Sequence, residues 1–286
     1  MVRLPFPGNI PFGTVRASAS EEPDTEKEYR VIFKAFRRFI LHYENSAERL
    51  DMIEDIITLR ASFLIDRALA GLRIDLDRAL DILRNHNSFT TVRERQQRDI
   101  LLAAIDNLID FAAAEEYAML REMPETVDEQ DMEAYGKICR RYNLVYAGRE
   151  NSEVLFASSI AAWWLTVDTE SIITYMTQGD ERVRPWHLSL EGLSFRKSEF
   201  PPELIPPIEW GCRCYLVADG FAAVQVALHD KANDRKETDP VFRESLATGG
   251  RIFSDAHPYF SVPLPGYIND MVKRIKRKFA YVQDNT

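Results

Sequence analysis

Apolar residues recur every three or four positions through most of the first 165 residues, which is the period of an α-helix. Asp24 and Thr25 begin a helix whose apolar face includes Ile32 and Phe36. Gly148 is expected to interrupt the helical pattern further along the chain. The same pattern predicts helices from Ser46 to Gly71 or Ile74, from Asp75 to Leu83, from Thr91 to Met123, from Thr126 to Tyr146 and from Asn151 to Trp164.

The pattern changes near residue 166, where short runs of β-branched and aromatic residues replace the helical period. Ser171–Met176 and Glu209–Val217 are predicted strands, and Phe221–Asp230 is a predicted helix. Prolines at positions 201, 202, 206 and 207 enforce a loop between the strands. The sequence therefore predicts an α+β protein, with a predominantly helical N-terminal half followed by a small mixed α/β C-terminal domain. The predicted divisions are a flexible arm at 1–20, a helical domain at 21–165, an α+β domain at 166–265 and a basic tail at 266–286.

Charge and cysteine content restrict the class of protein further. The 286 residues carry 36 basic and 45 acidic side chains, and the net charge of −9 argues against a protein that coats nucleic acid. Three cysteines in a chain of this length predict a reducing compartment and no disulfide framework. No apolar run reaches the roughly 20 residues of a membrane span, and proline and glycine interrupt the N-terminus where a signal peptide would be apolar. We therefore expect a soluble intracellular protein.

Residues 177–216 contain two of the three cysteines and two of the four tryptophans. Alternate side chains of a strand share a face, so Cys212 and Cys214 would point the same way. Two thiols at this spacing could chelate zinc, with His187 as the third ligand and Asp180 or His257 as the fourth. The simpler interpretation is that both cysteines are buried beside a tryptophan and that the protein needs no cofactor.

The same stretch concentrates charged side chains of both signs. Asp180, Arg182, Arg184, His187 and Arg213 could form an acid–base or phosphate-binding site. The alternative is a hydrogen-bonded network that holds an irregular loop against the sheet, because buried backbone groups in such a loop need partners. The network is the favoured interpretation, since the sequence shows no nucleophile–base pair, no glycine-rich phosphate loop and no HExxH motif.

The order of these residues resembles the phage Mu F-like minor head protein family, also called phage head morphogenesis proteins. In that family a T-x-x-D-x-R-V-R-x-x-H segment is followed by leucine, an acidic residue and glycine, then by a proline pair and W-G-C-R-C. This chain departs from the pattern at Ile208 and Glu209, where the family has asparagine and glycine or similar residues. The motif residues here are Asp180, Arg182, Arg184, His187, Gly192, Trp210, Gly211, Cys212, Arg213 and Cys214.

The resemblance implies a structural component of a tailed phage or prophage virion. Such a protein is expected at low copy inside the capsid, and in the host cytoplasm during assembly. Its partners would be portal or capsid protein, contacted by the helical half, and its role would be head morphogenesis, DNA packaging or ejection without catalysis. The alternative is a phage-encoded enzyme or toxin, such as a nuclease or a nucleotidyl- or ADP-ribosyl-transferase, centred on Asp180, Arg182 and His187.

One dense basic run near the C-terminus is the candidate for contact with packaged DNA. It consists of Lys273, Arg274, Lys276, Arg277 and Lys278. Phosphate contacts need such a cluster of cations. The alternative is a solvated helix end that keeps the tail soluble.

Overall fold

The structure is a computed structural model that describes residues 24–84, 91–124, 126–218 and 238–284. The arm predicted at 1–20 and the helix predicted at Phe221–Asp230 lie outside the described residues. The predicted fold class is confirmed, because helices dominate the N-terminal half and a small antiparallel sheet follows. None of the helices in these described ranges combines the length and apolar character that crossing a membrane requires.

The first, second and fourth helices begin where the sequence predicted, whereas the helix predicted from Thr126 begins at Met132, after a short 3₁₀ turn at Glu129–Asp131. Asp24 and Asn45 cap the first two helices, and Thr91 and Glu94 form a reciprocal capping box at the start of the fourth. Arg73, in the left-handed conformation, ends the second. The helices are α1 (Thr25–Leu41), α2 (Ser46–Leu72), α3 (Leu76–Arg84), α4 (Val92–Arg121), α5 (Met132–Arg140), α6 (Ala147–Trp164), the short α7 (Pro185–Leu188) and α8 (Gly266–Asp284).

The break predicted at Gly148 is wrong. Helices α5 and α6 are joined without interruption by a π-helical stretch, Arg141–Tyr146, so one long helical rod runs from residue 132 to residue 164. A single helical glycine costs only about 1 kcal/mol relative to alanine, and packing of the rod against α2 outweighs that cost. At the crossing, a side chain on Gly71 of α2 would stand only 2.6 Å from the backbone oxygen of Leu155, so a larger residue would force the two helices apart.

The sheet has three antiparallel strands in the order β2-β1-β3: β1 (Ile172–Met176), β2 (Ser194–Arg196) and β3 (Tyr215–Ala218). Thr174 of the central strand lies opposite Ser194 on one side and Val217 on the other. The second predicted strand, Glu209–Val217, starts only at Tyr215. Gly211 adopts a positive φ of 69°, which turns the chain sharply, so residues 208–211 bend back before the strand. Residues 212–214 lead into the strand outside its ladder, and the whole stretch is called the turn at 208–214 below.

An aromatic stack joins the helical half to the segment before the last helix. The ring of Phe253 lies between Phe111 of α4, at 4.3 Å between centroids, and Trp210, at 5.7 Å. Asn107, one turn before Phe111 on α4, donates to the carbonyl of Phe253 and accepts from the amides of Ile252 and Phe253 at 2.9–3.1 Å. The buried apolar residues of both halves consequently form one continuous core.

The segment predicted as a basic tail is the helix α8, which packs on the helical half. Its apolar face is buried through Ile268, Met271 and Ile275. Arg274 and Lys278 both pair with Glu54 of α2, at 2.5 and 3.2 Å.

A buried ion network lies where α2, α4 and α6 meet. Arg60 is only 1% exposed and donates to Glu115 at 2.6 Å, to Asn151 at 2.7 Å and to Glu150 at 2.9 Å. Burial raises the pKa of both glutamates, and the Arg60 guanidinium opposes that shift. The network pairs the Arg60 guanidinium with acceptors on two other helices, although the second carboxylate oxygen of Glu115 has no partner among the described residues.

Removing the cation from this network should be strongly destabilising. We expect Arg60→Met to lower the free energy of unfolding by about 3–5 kcal/mol, because it leaves buried carboxylates without their partner. Arg141→Met is the matched control, since Arg141 pairs with Glu122 at the surface and should contribute at most about 1 kcal/mol. Urea unfolding of both variants measures the difference. Equal losses in the two would contradict this account of the network.

Candidate functional site

The candidate site is built by the irregular segment 177–214, which connects β1 to β3 around the short strand β2. The helix α7 starts with Pro185, whose fixed φ suits the first helical position, and it carries His187 into the interior. Gly192, at φ 82°, closes the return to the sheet by donating its amide to the carbonyl of Tyr175 at 2.9 Å. The segment thus brings His187 and the turn at 208–214 together beside the central strand.

His187, Cys212 and Cys214 form a buried cluster. The His187 Nδ1 atom lies 3.2 Å from Cys214 Sγ and 4.0 Å from Cys212 Sγ, and the three ligand atoms all lie within 4.8 Å of one another. Both thiols are free of disulfide bonds. Hydrogen bonding between the two thiols raises the pKa of Cys212 and lowers the pKa of Cys214, so Cys214 is the more readily ionised. The cluster contains the donor atoms that soft metal ions prefer.

Tyr175 adjoins this cluster from the central strand. Its side chain is fully buried, and its hydroxyl has no hydrogen-bond partner of normal geometry. Burial is the largest cause of its raised pKa, and the neighbouring Cys212 and Cys214 add to the shift. A fully buried hydroxyl without such a partner is rare, because buried polar groups usually make a hydrogen bond.

The carboxylate of Glu209 organises the other side of His187. It accepts from Arg184 Nε at 2.8 Å and from the Trp186 indole nitrogen at 2.8 Å, and its Oε2 atom lies 3.4 Å from His187 Nε2. Arg184 also donates to the carbonyl of Trp210 at 2.6 Å. One carboxylate therefore fixes the orientation of three side chains and ties α7 to the turn that carries the cysteines.

Helix α6 holds the same turn from below. Glu153 accepts the amide of Gly211 at 2.5 Å, and Arg149 lies over the Trp210 ring at 5.1 Å from its centroid. Burial raises the pKa of Glu153 to about 7, while the bond from Gly211 and the cations Arg149 and Arg184 lower it. This contact joins the long helical rod directly to the candidate site.

A surface ion pair closes the site on its outer side. Arg213 donates to both oxygens of Asp180 at 2.7 and 2.8 Å, and the amide of Arg182 donates to Asp180 Oδ1 at 3.1 Å. The paired guanidinium lowers the pKa of Asp180. Gln178 adds a bond to the carbonyl of Arg213 at 3.0 Å. These contacts fasten the start of the segment to its end.

The structure separates the predicted residues into two groups that do different things. His187 and the two cysteines meet in the interior, with the partly exposed Arg184 beside them, whereas Asp180 and Arg213 pair at the surface and Arg182 is exposed. His257, the other suggested fourth ligand, lies instead in the aromatic stack, 4.9 Å from the ring of Phe111, and burial lowers its pKa to about 4. A small surface depression adjoins the cluster and is lined by Arg182, Val183, Arg184, His187, Gly211, Arg213 and Cys214.

Three residues of the site were missed by sequence reasoning: Glu153, Tyr175 and Glu209. A signal existed for Glu209, which is an acidic residue where the resembling family has another type and which stands near several arginines. Tyr175 lies within the predicted strand, but which neighbours its hydroxyl meets depends on the turn at Gly211. Glu153 lies on a helix more than 50 residues before its partner, and local pattern carries no such information.

The basic run of α8 is engaged mainly within the protein. Lys276 pairs with Asp110 at 2.9 Å, Lys273 with Asp270 at 3.2 Å, and Arg277 Nε donates to the backbone of Lys273. Arg274 and Lys278 share Glu54, as described above. DNA contact by this run remains a prediction.

Residues 121–217 match the model of the family described as Phage Mu protein F like protein. The match confirms the resemblance seen in the motif, and it includes α5, α6, the whole site and most of β3. An uncharacterized protein of Methanocaldococcus jannaschii is 31% identical over 146 residues, which are 49% of this chain and 21% of that protein. The chain thus spans about a fifth of this relative's length. No solved structure matches the chain significantly.

The carboxylate of Glu153, which accepts the Gly211 amide, predicts that the stability of the protein depends on pH. The pKa of Glu153 is raised from 4.5 to about 7 in the folded state. Between these two pH values the folded protein keeps a proton on Glu153 that the unfolded chain has lost, so stability falls as the pH rises from about 4.5 to about 7. Glu153→Gln keeps an oxygen for the Gly211 amide but has no charge. We expect its stability relative to wild type to increase between about pH 5 and about pH 8, by roughly 3 kcal/mol at most.

Chemical unfolding at several pH values measures this difference. Glu133→Gln is the control, because Lys137 lowers the pKa of the exposed Glu133 and its contribution is lost only as pH falls below the ordinary value. Its difference from wild type should therefore stay flat over the same range. A flat profile for Glu153→Gln as well would count against an ionisable group under the turn.

The backbone conformations of Gly211 in the turn and Gly148 in α6 predict opposite effects of alanine substitution on stability. Gly211→Ala should destabilise by about 1–2 kcal/mol, because alanine is strained at φ 69° even though its methyl group would have room, with Arg184 as the nearest neighbour at 3.9 Å. Gly148→Ala should stabilise by about 0.5–1 kcal/mol, because nothing lies within 4 Å of the added carbon and the helix continues through it. Thermal and urea unfolding test both, and a Gly211→Ala protein as stable as wild type would contradict the turn.

Proposed function

We propose that this protein is a minor head protein of a tailed phage or prophage, with a structural role in head morphogenesis near the portal. The match of residues 121–217 to the Mu F-like family carries the proposal. The geometry supports it, because the motif residues hold one another in place. Glu209 binds Arg184 and Asp180 binds Arg213, so the site is a brace within the fold.

The rival function, an enzyme or toxin centred on Asp180, Arg182 and His187, is less well supported. An enzyme needs its acid, base and cation to converge on a pocket that admits substrate. Here Asp180 is engaged by Arg213 at the surface, whereas His187 is 2% exposed and faces two thiols. The adjoining depression is small, and Arg184, His187 and Arg213 in its lining already contact Glu209 or Asp180.

The helical half is proposed as the surface that meets portal or capsid protein. It carries none of the side chains of the brace outside α6, and its length gives it an extended outer face. Several large apolar side chains are exposed on its described surface, where a partner could cover them. They are Val31, Leu41, Leu50, Val92 and Val145.

Deletion of the gene in the phage or prophage that encodes it tests the proposal. We expect the deletion to yield particles that lack the protein and to reduce the number of infective virions greatly. The wild-type gene supplied in trans should restore infectivity. Mass spectrometry of purified virions should detect the chain at low copy, and chemical cross-linking should connect it to portal protein.

The variant Asp180→Asn separates the structural role from the enzymatic one. It weakens only a surface ion pair, so we expect it to enter particles and to restore infectivity fully. An enzyme that uses this carboxylate would be incorporated but would fail to restore infectivity. That result, or normal virions after deletion, would overturn the proposal.

A further inference from the structure

We propose that His187, Cys212 and Cys214 bind one zinc ion, which pins helix α7 to the turn at 208–214. The proposal does not depend on the function proposed above, because it rests on the geometry of three buried side chains. Zinc is bound by thiolate sulfur at about 2.3 Å and imidazole nitrogen at about 2.0 Å in tetrahedral sites. Such a site places nitrogen and sulfur about 3.5 Å apart.

The observed separations bracket that value. His187 Nδ1 lies 3.2 Å from one sulfur and 4.0 Å from the other, and no pair in the cluster exceeds 4.8 Å. All three residues are buried, so the ligand atoms are held by surrounding packing. Small side-chain rotations would therefore bring each atom to bonding distance of a common centre.

The second nitrogen of His187 supplies an independent argument. Nε2 lies 3.4 Å from a Glu209 carboxylate that Arg184 and Trp186 already hold in place. A carboxylate there favours the tautomer with its proton on Nε2, which leaves the lone pair of Nδ1 directed at the sulfurs. Histidines that bind metal almost always donate their other ring N–H to such a partner.

Tyr175 marks the fourth position. Apart from the two sulfurs beside it, this buried hydroxyl has no hydrogen-bond partner among the residues that the structure describes, which is unusual for a fully buried polar atom. A zinc ion with three protein ligands has one further coordination site, and a phenol oxygen or a water held by it would fill that site. The surface depression lined by His187 and Cys214 gives the ion a route from solvent.

The donor set selects the class of metal. Two thiolates and one imidazole suit zinc, whereas magnesium and calcium prefer oxygen donors. Two thiolates also neutralise the charge of Zn²⁺, so the buried site would carry no net charge. Joining α7 to the turn in this way would restrain the loop between His187 and Cys212, which lie 25 positions apart and are linked by few backbone ladder bonds.

The chain offers a matched control in Cys139. This third cysteine is also buried and free, but it lies on α5 and belongs to no group of metal-binding side chains among the described residues. Burial raises its pKa. If zinc bound to any free thiol of this chain, replacing each of the three cysteines would lower the zinc content equally.

The experiment uses the full-length, reduced chain without added affinity histidines. Elemental analysis after gel filtration should give about one zinc per chain in wild type and in Cys139→Ser, and little in Cys212→Ser or Cys214→Ser. Zinc affinity, measured by competition with a chromophoric chelator, should fall about 10–100-fold in Glu209→Gln. Chelation should lower the thermal midpoint of wild type.

Cobalt substitution decides the case if the cysteine variants fail to fold. Wild-type protein stripped of zinc and given Co²⁺ should show thiolate-to-cobalt charge transfer in the near ultraviolet and the intense visible bands of tetrahedral cobalt. Tyr175→Phe should alter the visible bands while leaving the charge transfer in place. Wild type that takes up neither zinc nor cobalt, copper in place of zinc, or equal loss in Cys139→Ser would overturn the proposal.

Discussion

The carboxylate of Glu209 is the point on which the irregular part of the fold depends. Between β1 and β3 the backbone bonds mainly within local turns, so side chains must hold these turns to one another. Glu209 meets this need for three donors at once, from Arg184, Trp186 and His187. Arg184 then reaches the carbonyl of Trp210, which extends the same network into the turn. An apolar residue at position 209 would leave Arg184 with only the Trp210 carbonyl and would remove the acceptor beside Trp186 and His187.

The brace is effective because three separate parts of the chain hold it. Glu153 supports the turn from α6, Arg213 closes it on the outside, and the Trp210 ring stacks with Phe253. Phe253 in turn packs on Phe111 of α4, so the aromatic stack carries the helical half into contact with the site. Movement of the turn would therefore disturb α4 and α6 together. The family match, which begins before α5, spans much of this unit.

Local pattern predicted most of the helices and the central strand. Asp24, Asn45 and Thr91 cap their helices as their residue types suggest, because capping depends on neighbours within one turn. The local sequence pattern gave wrong predictions where contacts between residues far apart in the sequence determine the backbone conformation. Gly148 continues a helix because α6 is packed along its length, and Glu209–Cys214 is a turn because Gly211 takes a positive φ. The grouping of His187 with both cysteines was predicted from the alternation of side chains, and Cys212 and Cys214 are buried while Arg213 between them is not, although the strand itself begins only at Tyr215.

The motif residues make most sense as parts of one mechanical unit. Gly211 supplies a backbone conformation that other residues resist, Arg184 holds the carbonyl beside it, and Arg213 fastens the two ends of the segment through Asp180. Catalysis would require some of these polar groups to face substrate and to remain available for it. Here Arg184, Arg213 and Asp180 each have a partner within the fold, whereas the side chain of Arg182 is exposed. Residue types that recur at fixed spacing in a motif can thus reflect the geometry of a brace as well as the needs of catalysis.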